Sequence, residues 1–275
     1  MSDIKNKITK LADYYKNALA ELGDVQALGK HTKILPEENT KIPQKNIQEQ
    51  ITKITKTMNV TQEKPKNNAL LQKAQTEKTV VDLAGVSSID DLKREVDSTC
   101  KCELKQFANK TVFCDGNPNA KILVVGEAPG QEEDMAGIPF CGRSGELLMN
   151  AFRVINLVRE ENIIITNNIF WRPPGNRNPE PQEIEACRPF LVKLAEIIKP
   201  EVVICVGSVA ASSVLQTEGT ISSLRGKVFG HAQGIGIKEG VKTFALYHPS
   251  YLLRSPAKKY ELYKDLLFIK ENIKI

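Results

Sequence analysis

Four apolar runs of this chain each end on residues able to do chemistry. Residues 122–125 run into Gly126 and Glu127, residues 162–166 into Asn167, residues 201–206 into Gly207, and residues 243–247 into His248. A carboxylic acid can move a proton or hold a water. An asparagine offers an amide donor and a carbonyl acceptor side by side, a pair able to read a partner with the complementary set. A neutral imidazole can donate a hydrogen bond to a developing anion. The six cysteines (Cys100, Cys102, Cys114, Cys141, Cys187 and Cys205) are metal-ligand candidates or core filler.

The elements that would position these groups follow from the same runs. Each run is short and rich in β-branched residues, the pattern of a strand buried on both faces. Strands alternating with helices lie parallel, so their polar ends share one edge, where open α/β sheets bind ligands. Helices are expected over residues 88–99, from Ser144 as cap to 154, from Pro181 or Gln182 to 198, over an Ala/Ser stretch ending at 215, and over 258–273. Gly126 to Gly130 forms a tight turn, and Glu132, Glu133 and Asp134 fill an acidic loop before Phe140. A weaker strand follows residues 224–227. The expected fold class is α/β: a three-layer α/β/α sandwich with a short, mostly parallel four-stranded central sheet.

Residues 80–275 carry this pattern. Ahead of them, residues 1–22 read as an amphipathic helix with Ile8, Leu11, Ala12, Tyr15 and Leu19 on one face. Residues 23–79 are rich in Lys, Gln, Asn and Thr and poor in apolar periodicity. They read as a disordered linker, with His31 solvated. In the 275 residues nothing approaches an eighteen-residue apolar run, and the first residues lack a signal-peptide core. A membrane role is excluded on this reading and a cytoplasmic location expected. A disulfide framework is not expected there. A net charge of +5 fits a polyanionic partner without requiring one.

Three separated motifs then carry a resemblance. GEAPGQEED with IPF and GRSGELL, ITNN with RPPGNRNP, and HPSYLLRSP resemble the motifs of the uracil-DNA glycosylase superfamily, most nearly its family 4, the bacterial and archaeal branch. The similarity runs from about Cys102 to the C-terminus, and the N-terminal third has no counterpart. It implies a monofunctional repair enzyme that flips uracil out of DNA and hydrolyses its N-glycosidic bond. By resemblance Asn167 reads uracil O4 and N3–H, Phe140 stacks on the flipped base, and Ala128 lines the uracil where better-known branches carry an Asp. His248 stabilises the uracil anion at O2, and Glu127, Glu133 and Asn176 are the candidates for holding water. Tyr251, Leu252, Leu253 and Arg254 would enter the duplex, with Arg177 also on the DNA. The implied partner is uracil-containing DNA, single- or double-stranded, bound by a monomer. The N-terminal region is left to recruit an unknown protein partner.

Family 4 also carries a 4Fe-4S cluster, and here the sequence departs from its pattern. Cys102 and Cys187 match two of the four ligand positions, Trp171 occupies the third and Thr99 the fourth, with Cys100 one residue away. Such clusters need four thiolates. The expectation is therefore that no cofactor is required, and that Cys100, Cys102 and Cys187 are remnants of a ligand set. The alternative function is a catalytically weak DNA-binding module recognising deaminated bases or DNA ends. A nucleotide-binding enzyme built on the GEAPG turn is weaker still, because no P-loop lysine or dinucleotide glycine pattern follows it.

Overall fold

Every apolar run named above forms a strand in the computed structural model, which describes residues 81–273; the helix and linker expected over residues 1–22 and 23–79 lie outside the described residues. The strands are β1 (Cys114–Gly116), β2 (Ile122–Gly126), β3 (Ile163–Asn167), β4 (Val202–Val206) and β5 (Lys242–Leu246). They form one sheet of order β1-β3-β2-β4-β5, parallel throughout except that β1 runs antiparallel to β3. The sheet thus has five strands and not four. β1 escaped the sequence reading because Cys114-Asp115-Gly116 is too short and polar to register as a strand. The weaker strand expected after residue 227 amounts to a single bridge, Phe229 to Thr243.

Alternation within the strands splits the core into two layers. Ile122 and Val124, Ile163 and Ile165, Val202, Ile204 and Val206, and Phe244 and Leu246 face one side. Leu123 and Val125, Ile164, Val203 and Cys205, and Ala245 face the other. Both faces are covered, which is why the strands read as continuous apolar runs. The second layer is closed by α1 (Ile89–Thr99), α4 (Pro181–Ile198) and α5 (Ser208–Leu215). The first is closed by α3 (Arg143–Arg153), α7 (Pro249–Arg254) and α8 (Lys259–Asn272). Two short helices, α2 (Gln131–Ala136) and α6 (Ile221–Leu224), sit in the connections.

Two local expectations change. The acidic stretch is not a loop but α2, its acids grouped in the first turn where the helix dipole favours them. Helix α3 begins at Arg143 with Gly142 as N-cap, two residues before the expected cap Ser144. Among the described residues no helix is long and apolar enough to cross a membrane.

Candidate active site

Register brings the polar strand ends to one edge. Gly126 pairs with Asn167 and Val206 with Leu246, so Asn167, Glu127, Gly207 and His248 follow one another across the sheet. Above them lies a cavity of about 370 Å³ lined by residues including Glu127, Ala128, Glu133, Phe140, Asn167, Asn176, Arg177, His248 and Arg254. Of the twelve residues expected at the site, these nine converge; Tyr251, Leu252 and Leu253 do not line it.

Asn167 is 1% exposed, and its Oδ1 has no hydrogen-bond partner among the described residues. A buried carbonyl oxygen left without a donor costs about 1–3 kcal/mol, which marks Asn167 Oδ1 as a candidate ligand contact. Phe140 borders it. A Cβ at Gly126 would collide with Asn167 Oδ1 and lie 2.6 Å from the Phe140 ring. Only glycine at the end of β2 lets amide and ring close on the same space. Phe140 has φ 51, left-handed and strained for a bulky side chain. Its ring centroid is 5.9 Å from that of His248 at an interplanar angle of 34°.

His248 is the N-cap of α7, and its Nδ1 accepts from Ser250 N at 3.2 Å, with Ser250 Oγ at 2.8 Å. An Nδ1 that accepts leaves the ring hydrogen on Nε2. Burial, with Arg254 adding, pushes the imidazole pKa down to about 4. The ring is therefore neutral at physiological pH and carries one donor.

The two acids in the lining are committed to backbone. Glu127 Oε1 accepts from Val209 N at 2.9 Å, with Ser208 Oγ at 3.5 Å, tying the end of β2 to the start of α5. Gly207 (φ +103) makes this approach feasible, since a Cβ there would sit 2.6 Å from Glu127 Cδ. Burial raises the Glu127 carboxyl above the usual carboxylate range. Glu133 bonds Gly130 N (3.1 Å) with one oxygen and Gly142 N (3.0 Å) with the other. Both oxygens thus brace the loop that carries Phe140. Asn176 sits at the rim with φ 56, its Oδ1 accepting from Arg172 Nε at 2.8 Å.

The expected wedge is also corrected. Pro249 opens a helix, and helical spacing turns Leu252 inward, where it is 0% exposed in the core layer beneath α3. Leu252 cannot enter a duplex without unpacking that layer. Leu253 is half-buried and Arg254 exposed, so these two remain able to meet DNA. Arg177 is exposed too, but its guanidinium pairs with Glu183 at 2.9 and 2.5 Å. Asn168, which sequence reasoning passed over, is fully buried with both amide atoms unpartnered among the described residues. Its only signal was the doubled Asn after a strand.

The cysteines expected as remnants of a ligand set are Cys100, Cys102 and Cys187. Cys187 of α4 neighbours Cys100 and Cys102, which follow the end of α1, and Cys100 Sγ donates to Ala186 O at 3.5 Å. Burial drives Cys187 well up, and its hydrogen bonds draw the other two down. The third position belongs to Trp171, 1% exposed, with Nε1 donating to Thr111 Oγ1 at 3.0 Å and the ring edge-on to Phe170. Among the described residues no group of three or more His, Cys, Asp or Glu side chains is arranged to hold a metal ion. A four-thiolate cluster does not fit this donor set.

The chain belongs to the uracil-DNA glycosylase superfamily. The sequence profile described as "Uracil DNA glycosylase superfamily" matches residues 113–268. The type-4 uracil-DNA glycosylase of Archaeoglobus fulgidus is 40% identical over 190 residues, covering 68% of this chain and 94% of that protein. That of Sulfurisphaera tokodaii is 36% identical over 187 residues, covering 68% and 85%, and that of Thermotoga maritima 39% over 155 residues, covering 56% and 77%. Within the superfamily the chain is a member of family 4.

Proposed function

We propose that the protein removes uracil from DNA by hydrolysing its N-glycosidic bond, without cutting the strand. The observation that carries this reading is the orphaned Oδ1 of buried Asn167 in the same cavity as a neutral, Nε2-protonated His248. Uracil presents an acceptor at O4, a donor at N3 and an acceptor at O2. Asn167 Oδ1 takes N3–H and its amide donates to O4, while cytosine reverses that order and would leave buried groups unpaired. Phe140 stacks on the flipped base, and Ala128 leaves room beside it. As the bond breaks, negative charge gathers on O2, and His248 Nε2–H stabilises it in a site shielded from water. Glu127, with its raised carboxyl, orients the attacking water, and Asn176 closes the rim. Leu253, Arg254 and Arg177 face the DNA, the arginines meeting phosphates.

The test is a gel assay on uracil-containing oligonucleotides, single- and double-stranded. The expected product is an abasic site that breaks only with alkali or heat, since no lysine among the described residues lines the cavity to form a Schiff base. Scission without that treatment, or no uracil release, would reject the reading.

We propose further that the domain works without a 4Fe-4S cluster, with Trp171 packing in its place. Support comes from three thiols where four are needed and from the bond that fixes the indole to Thr111. Protein purified anaerobically should be iron-free and active. Trp171→Ala should cost about 3–5 kcal/mol of stability, and Cys102→Ser much less. About four irons per chain would overturn this.

A further inference from the structure

Phe140 is held in its strained conformation by a residue far from the chemistry. Arg159 lies in the segment entering β3. Its Nη1 donates to Pro139 O at 2.9 Å and its Nη2 to Phe140 O at 2.8 Å. The guanidinium is aimed by Asp115 of β1, whose Oδ2 lies 2.7 Å from Nη1. The Arg159 side chain is only 14% exposed. Two consecutive carbonyls are thus gripped by one planar fork, a geometry lysine cannot copy. From the other side α3 presses on the same peptide: a Cβ at Gly145 would collide with Phe140 O and lie 2.7 Å from its Cα. A bulky residue with positive φ costs about 1–3 kcal/mol and persists only where its surroundings over-determine it.

We propose that Arg159, aimed by Asp115, is a positioning residue for uracil excision, acting through the backbone of Phe140 to fix the stacking wall of the base pocket. This rests on Phe140 being that wall. It predicts that Arg159 matters to the extent that Phe140 is present, although it does not line the cavity. It also gives β1, the strand that the sequence hid, a part in function: it carries the carboxylate that orients the fork.

A double-mutant cycle decides the matter. Arg159→Met should slow single-turnover uracil release about 10- to 100-fold, the range for a misplaced positioning group. Inhibition by free uracil should weaken in parallel, while binding to DNA holding an uncleavable abasic analogue stays at the wild-type level. In a Phe140→Ala background the same substitution should add less than about twofold. Arg159→Lys should recover part of the loss by bonding one carbonyl. Additive effects in the cycle, or unchanged uracil inhibition in Arg159→Met, would overturn the proposal. Amide exchange guards against simple unfolding: residues 139–142 should exchange faster with the rest still protected. If protection is lost throughout, Asp115→Asn takes over as the test, and must weaken uracil inhibition or the proposal fails. Wild-type protein inactive on uracil-DNA would reject the functional reading instead, and exchange at residues 139–142 would still decide whether Arg159 braces the loop.

Discussion

His248→Ala should lower the single-turnover rate of uracil release by about two to three orders of magnitude, the cost of deleting one donor to a developing oxyanion. DNA binding should change little, because the cations proposed to meet phosphate, Arg254 and Arg177, remain. The pH profile adds a second check. With its pKa pushed down to about 4, the imidazole stays neutral well below its ordinary value of 6.5. The acid limb of the wild-type rate belonging to this residue should therefore lie near pH 4 rather than 6.5. The stability linkage runs the same way. Between pH 6.5 and 4 the unfolded chain takes up a proton that the folded chain refuses, so His248 reduces stability as pH falls through that window. Wild-type rates in His248→Ala would make the residue structural, a cap for α7 and no more.

Asn167→Asp should reduce uracil excision at neutral pH at least about a thousandfold, as expected where a buried site loses its matching donor. An ionised carboxylate accepts from N3–H but repels O4. Its two acceptors suit the N4 donor of cytosine better, so slight cytosine release should appear. Protonation supplies the discriminating test. Burial raises a carboxyl pKa, and a protonated Asp again offers a donor beside an acceptor. Uracil release by this variant should climb as pH drops from 7 towards 5, where His248 is still neutral and the wild type has no such rise. Neutral-pH kinetics equal to wild type would mean that another residue reads the base.

How much of this was legible in the sequence depended on the length of each signal. β2 to β5 stood out because burial on both faces makes five-residue apolar runs, and their polar ends marked the site. β1 was hidden, since three residues with an Asp and a Gly carry no such run. The acids of residues 132–134 read as loop because dipole preference and solvent exposure give the same composition. Leu252 was misplaced for a related reason. Four residues after Pro249 cannot reveal a helical period, so one leucine of a pair looked as free as the other. Arg159 had no signal at all, since its partners are backbone carbonyls.

Trp171 has a use beyond packing. It is the chain's one tryptophan and is fully buried beside Phe170, four residues after Asn167. Its emission should be blue-shifted in the native protein and should move to the red when the layer under α1 and α4 opens. Unlabelled protein thus carries an optical probe of that layer alone, blind to the opposite one under α3, α7 and α8. Comparing it with far-ultraviolet dichroism would show whether the two halves of the sandwich melt as one unit or in sequence.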